Sequence, residues 1–165
     1  MIRSATTHDG SAVADIYNHY VRETVVTFEE AAVSGDEMAG RIGEALAAGH
    51  PFLVSEGDDG IEAFAYASAW KGRCAYRFSR EVTVYVRDGL GGRGLGSALY
   101  VALIQQLREQ GVHALLGGIA LPNPGSVALH EKFGFEQVAH FREVGRKFDR
   151  WVDVGYWQLV LHEGR

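Results

Sequence analysis

The sequence has 165 residues, 47% of them hydrophobic and 22% charged, which is enough chain for one domain with a sizeable core. Sixteen Lys and Arg against 21 Asp and Glu leave a formal charge of −5, which argues against nucleic acid as the main partner. The opening residues lack an apolar signal segment and no stretch reaches the ~18 apolar residues of a membrane span, while the one cysteine, Cys74, excludes an internal disulfide framework and fits a reducing, cytoplasmic compartment.

Residues 2–5 predict a short first strand. Val13, Ile16, Tyr17, Tyr20 and Val21 then recur at helical spacing, with Asp9 or Ser11 as cap. Ser34 and Glu37 form a capping-box pattern for a second helix with Met38, Ile42 and Leu46 on its apolar face, stopped by Gly49-His50-Pro51. Residues 52–55 and 61–70 predict two strands joined by the turn Gly57-Asp58-Asp59-Gly60. Residues 81–86 alternate Val82, Val84 and Val86 with Thr83 and Tyr85, a strand pattern. Leu95, Leu99, Ala102, Leu103 and Leu107 make the strongest helical stripe, ended near Gly111. Residues 114–121 predict a buried strand, 126–133 a short helix and 152–161 a final strand. This order, β-α-α-β-β-β-α-β-α-β, gives an α/β (α+β) class: a mixed sheet with helices against it, in one domain spanning residues 1–165.

Glycine accounts for 21 of the 165 residues, above the typical ~7%, and six of them fall between Gly89 and Gly111. The predicted strand 81–86 runs into this stretch, which in turn opens the long helix. A strand, a glycine-rich turn and a helix N-terminus together form a phosphate cradle, because unpaired amides and the helix dipole face the anion. The plain alternative is a tight turn. Gly89, Gly91 and Gly94 satisfy G-x-G-x-x-G, but the next strand ends in Leu121-Pro122-Asn123, without the acidic residue that a dinucleotide site needs. The Walker pattern fails because Gly96, not a lysine, precedes Ser97.

Glu81 enters an otherwise apolar strand, as a solvated strand end or as a base aimed into a cleft. His130 sits on a short helix, where a surface or satisfied core histidine and a proton-transfer group are both open readings. Lys71 and Arg73 put two cations just before Glu81, either a solvated basic loop or a grip for acid groups. Cys74 reads as a small filler residue rather than a nucleophile, and no G-x-S-x-G is present. The seven histidines show no H-E-x-x-H spacing, so no metal is expected. Trp151, Tyr156 and Trp157 with Lys147 and Phe148 make an aromatic-rich segment, read either as core or as a segment that closes the neighbouring site in a dimer.

Gly91-Gly92-Arg93-Gly94-Leu95-Gly96 resembles the acetyl-CoA pyrophosphate loop of the GNAT superfamily of N-acetyltransferases. The resemblance continues through Asn123 and Leu129-His130-Glu131-Lys132-Phe133-Gly134-Phe135. It tightens toward the phosphinothricin N-acetyltransferase family through Trp70-Lys71-Gly72-Arg73, Ala75-Tyr76, Glu81, Thr83-Val84-Tyr85-Val86 and Trp151-Val152-Asp153-Val154-Gly155-Tyr156-Trp157-Gln158, as well as Asn18-His19-Tyr20 and Thr27-Phe28. It covers essentially the whole chain. One departure is Gly91, where the family usually carries Arg or Gln; this removes a side-chain donor to the pyrophosphate, which Arg93 is placed to offset.

The resemblance implies a mixed sheet of about six to seven strands flanked by about four helices. It implies direct acetyl transfer from acetyl-CoA to the amine of a small amino-acid-like acceptor such as phosphinothricin or methionine sulfoximine, without an acetyl-enzyme. Glu81 would serve as general base and His130 in proton transfer, with the two roles exchangeable. Val84, Tyr85 and Val86 would pair with pantetheine as an added strand, and Asn123 would bond its arm. Gly91, Gly92, Arg93, Gly94, Leu95, Gly96, Ser97 and Lys132 would meet phosphate. Phe28, Lys71, Arg73 and Tyr76 would meet the acceptor. The family also implies a homodimer, with no nucleic-acid or membrane partner. Competing readings are a protein N-acetyltransferase, with an open peptide groove, and a catalytically silent CoA-binding module.

Overall fold

The computed structural model describes residues 1–162. In chain order the elements are β1 (Ile2–Ser4), α1 (Gly10–Glu23), α2 (Gly35–Ala47), β2 (Phe52–Gly57), β3 (Gly60–Ala69), β4 (Ser79–Val86), α3 (Leu95–Glu109), β5 (Ala114–Leu121), α4 (Pro124–Lys132), β6 (Glu136–Lys147) and β7 (Arg150–Val160). The helices begin where the sequence supplies caps. The Ser34 side chain accepts the Glu37 N–H at 3.1 Å ahead of α2, and Asn123 does the same for Ser126 at 3.1 Å ahead of α4. Asp9, at the start of α1, is gripped by both terminal nitrogens of Arg3 at 2.9 Å.

All seven strands join one sheet in the order β1-β2-β3-β4-β5-β7-β6. Every neighbouring pair is antiparallel except β4 and β5, which run parallel. Side-chain alternation sorts two cores onto the two faces. Phe52, Val54 and Phe64 pack under α1 and α2 against Val13, Ile16, Val21, Met38 and Ile42. Leu53, Ala63, Ala65 and Ala67 pack on the other face, against Leu99, Leu103 and Leu107 of α3. Covered on both sides, β3 is a near-continuous run of small apolar and aromatic residues.

The predicted elements recur with shifted ends, and the structure adds one that was missed. The predicted order has no strand between α4 and the last strand, yet β6 occupies residues 136–147 and pairs along β7. Most of β6 is solvent-exposed at the sheet edge, and it is interrupted by irregularities between Gln137 and Ala139 and between Phe141 and Gly145. That breaks the period-two signal on which strand prediction rests. A two-residue turn at Phe148 and Asp149, both at positive φ, returns the chain to β7.

Two core expectations are corrected. Cys74 is exposed rather than a filler, because it lies in a short 3-10 turn (Cys74–Tyr76) standing off the sheet. In the aromatic segment Trp157 is buried, whereas Phe148 and Trp151 are exposed on the β6–β7 hairpin.

Candidate functional site

The site is built around a gap in the sheet. Strands β4 and β5 pair only at Ser79–Ala114, Arg80–Leu115 and Glu81–Leu116, and then diverge. Beyond Glu81, one edge of β4 therefore has no neighbouring strand. The Arg87 N–H donates to the Glu62 carbonyl at 2.7 Å, so in an antiparallel ladder Thr83 and Tyr85 also face β3. Val84 and Val86 then point their N–H and C=O groups into the gap, and the Val86 carbonyl accepts from the Tyr20 hydroxyl there. An extended ligand arm has a ready-made edge to pair with.

On the α3 side of the gap lies a groove of about 700 Å³. Val84, Tyr85 and Val86 form one wall, Gly91, Gly92, Gly94, Leu95, Gly96 and Ser97 the end, and Asn123 and Lys132 the other wall. Gly92 and Gly94 have φ of +78° and +82°, a left-handed backbone that glycine adopts without strain. Gly94 caps α3 in that conformation and turns the first amides of the helix toward the groove. Lys132 donates to the Ser97 hydroxyl at 3.1 Å, so a cation stands at the same helix end. Arg93, expected here too, does not line the groove. The Asn123 oxygen is spent capping α4, which leaves its amide nitrogen for a ligand.

On the α1 side lies a second cavity, of about 490 Å³. Its floor is Glu81, Thr83, Tyr85, Gly118 and Ala120; its walls are Tyr17, Tyr66, Tyr156, Val26, Thr27 and Phe28, with Phe141 and Val144 from β6 and Val154 from β7. Burial raises the Glu81 carboxyl above its ordinary pKa, while the Lys71 cation pulls the other way. A Cβ at Gly118 would come within 3.1 Å of the Tyr156 ring and 3.3 Å of Glu81 Oε1, so the missing side chain leaves room for both.

A throat of about 50 Å³, room for very few waters, joins the two sides through the gap. Thr83, Val84, Gly118, Ser126, Tyr100 and His130 line it. His130 is buried. Its Nδ1 lies 2.7 Å from the Ser126 carbonyl, an acceptor only, so Nδ1 carries the proton. Its Nε2 then accepts from the Tyr100 hydroxyl at 3.0 Å. Burial lowers the His130 pKa, so the imidazole is neutral at neutral pH.

Of the residues expected to meet the acceptor, Phe28 lies on the cavity wall. Lys71 sits at the rim, its ammonium 5.2 Å from the centre of the Trp70 ring, which in turn packs edge-on to Tyr156 at 5.3 Å. Arg73 and Tyr76 are not on the wall; they lie in the exposed segment that holds Cys74. Sequence reasoning missed Tyr17, Tyr66, Gly118, Ala120, Phe141 and Val144 on this cavity, and Tyr100 in the throat. The aromatic residues carried only a core-like signal, and Phe141 and Val144 belong to the strand that was not predicted. Among the described residues, no group of three or more His, Cys, Asp or Glu is placed to hold a metal, and no helix is long and apolar enough to cross a membrane.

Residues 2–155 match the family model described as an acetyltransferase (GNAT) domain. The chain is 37% identical to the phosphinothricin N-acetyltransferase of Streptomyces coelicolor, over 97% of this chain and 95% of that one. It is 35% identical to the L-methionine sulfoximine/L-methionine sulfone acetyltransferase of Salmonella typhimurium, over 98% and 95%. Among solved structures it superposes with a TM-score of 0.95, at 34% identity, on a phosphinothricin acetyltransferase from Sinorhizobium meliloti in complex with acetyl-CoA, over 99% of this chain and 89% of that one.

Proposed function

The chain belongs to the GNAT acetyltransferase family and is an acetyl-CoA-dependent N-acetyltransferase, and on that premise we propose that its acceptor is the α-amine of a small amino acid of the phosphinothricin and methionine sulfoximine kind. The observation that carries this reading is the position of Glu81. It is a half-buried carboxylate in a cavity sized for a small molecule, across a narrow throat from the glycine-rich groove.

Acetyl-CoA supplies the acetyl group as an activated thioester. The groove residues Gly91, Gly92, Gly94, Leu95, Gly96 and Ser97, with Lys132, suit its phosphates, and the free edge of β4 suits its pantetheine arm. Glu81 takes the proton from the acceptor ammonium, directly or through a water, so that the neutral amine attacks. A backbone N–H of Val84 or Val86, both facing the gap, meets the negative charge that develops on the thioester oxygen. The intermediate then collapses with cleavage of the C–S bond, and the second amine proton passes to the departing thiolate. His130, whose Nε2 accepts from Tyr100, we assign to that relay on the sulfur side of the throat. Lys71 at the rim, with Arg73 beyond it, attracts the acceptor's acid groups.

We also read the chain as one acetyltransferase domain that works as a homodimer in the cytoplasm. Exposed Val138, Phe141, Val144, Phe148 and Trp151 on the β6–β7 hairpin support a second copy docking there. The deciding experiment is thiol release from acetyl-CoA across phosphinothricin, methionine sulfoximine, methionine sulfone, simple amines and an N-terminal peptide. Saturable turnover with the first three is expected. Turnover with the peptide alone would instead identify a protein acetyltransferase, and turnover with none would leave a CoA-binding module.

A further inference from the structure

The least expected side chain in the fold is Lys147. It is only 1% exposed, at the inner end of β6, and nothing in the acetyl-transfer chemistry uses it. Its Nζ donates to the Thr27 carbonyl at 2.8 Å and approaches the Tyr20 carbonyl, in the last turn of α1, at 3.5 Å. These partners are backbone oxygens rather than a carboxylate; Glu29 and Glu30 add only longer-range attraction. An ammonium taken out of water is costly, and an apolar side chain of similar length would fill the same space without that cost. What the charge adds here is a grip on the backbone after α1.

That backbone is functional. Val26, Thr27 and Phe28 line the acceptor cavity, and Val26 also reaches the throat and the glycine-rich groove. Gly145, two residues before Lys147, completes the dock. A Cβ at Gly145 would lie 2.3 Å from two ring carbons of Phe28, so the ring rests directly on the β6 backbone. Elsewhere the segment is tied to α1: the Tyr17 hydroxyl meets the Thr27 hydroxyl at 2.8 Å, and Asn18 exchanges two 2.8 Å bonds with Val33. From the cavity side β6 holds it, and the Tyr85 side chain of β4 also reaches the Thr27 hydroxyl.

We propose that Lys147 and Gly145 are positioning residues for acceptor recognition, docking segment 24–28 on β6 so that Thr27 and Phe28 close one wall of the acceptor cavity. Lys147 acts through the Thr27 carbonyl, and Gly145 by admitting the Phe28 ring. The proposal rests on the acetyltransferase reading above. Two variants test it, because Lys147→Met removes the grip while Gly145→Ala pushes the ring away without touching a charge. Amide exchange by mass spectrometry in residues 24–30 is expected to speed up about tenfold in both, the scale of one charge-assisted hydrogen bond, while α3 and β5 stay protected. The acceptor KM is expected to rise by about tenfold, with the calorimetric Kd for acetyl-CoA within about twofold of the parent, since the glycine loop, the free edge of β4 and Lys132 are untouched and Val26 is the segment's one groove contact. Unchanged exchange in both variants would overturn the proposal. So would exchange rising equally in α3 and β5, or Kd moving together with KM. If the parent protein acetylates no small amine, the functional reading fails, while the exchange measurement still decides the dock.

Discussion

Glu81 and His130 address consecutive residues of β5 from opposite faces of the sheet. A Cβ at Gly118 would lie 3.3 Å from Glu81 Oε1, and one at Gly117 would lie 2.5 Å from His130 Nε2. Consecutive strand residues project to opposite sides, so His130 lines the throat while Glu81 stands in the acceptor cavity. Only Glu81 borders the acceptor cavity, which favours it as the base over an exchange of roles.

Glu81→Gln is expected to lower kcat at pH 7 by at least about a hundredfold, the ordinary worth of a positioned base. In the parent, kcat/KM should climb with pH through the raised pKa of Glu81; the variant should lose that limb and recover as the acceptor itself deprotonates. A carboxyl whose folded pKa is raised favours the folded state at low pH and loses that contribution as pH rises through the folded pKa. The glutamine variant should therefore be no less stable than the parent at neutral pH. His130→Ala should lose rate yet leave the acid limb in place. A limb that moves with His130 and ignores Glu81 would reverse the assignment.

Lys71 is the one cation that opposes the burial of Glu81. Removing it in Lys71→Met should move the acid limb of kcat/KM to higher pH, because the carboxylate loses a stabilising charge. High salt should shift the parent the same way, since exposed charges are screened. A limb that stays fixed in both experiments would separate Lys71 from the base.

Gly94→Asp puts a side chain and a negative charge at a left-handed position that turns the amides of α3 toward the groove. Calorimetric titration of the folded variant should show acetyl-CoA binding weakened at least tenfold, on the order of 1.4 kcal/mol or more. Unchanged affinity would detach the glycine loop from the cofactor.

Asp9 tests the scaffold rather than the site. Arg3 holds its carboxyl down at about 2, against an ordinary 3.8. Stability from a depressed carboxyl is present above the unfolded pKa and is lost as pH falls through the folded one. The parent should thus lose thermal stability between about pH 4 and pH 2 in part through this pair, and Asp9→Asn should flatten that part of the curve of Tm against pH.

Much of the site was legible because its chemistry is local in sequence. Glu81, the glycine loop and the α3 stripe follow one another within thirty residues, and each carries a pattern that a strand, a turn or a helix requires. The acceptor cavity is different in kind. Tyr17, Tyr66, Phe141 and Tyr156 come from α1, β3, β6 and β7, and an aromatic residue on a cavity wall has the same sequence signature as one in a core. Arg73 and Tyr76 looked like wall residues by proximity to Glu81, but the 3-10 turn carries them outward. Lys147 falls in the segment expected in the core, but what holds it there could not be read, because its partners are backbone oxygens 120 and 127 residues away.

The short seam between β4 and β5 also has a mechanical meaning. Among the described residues, three residue pairs, from Ser79–Ala114 to Glu81–Leu116, and the Phe78 carbonyl that accepts from His113 and Ala114 join four strands on one side to three on the other. Load applied across the sheet must pass through that seam and through the helices that bridge it. On that geometry the sheet is expected to yield first along the seam, beside Glu81.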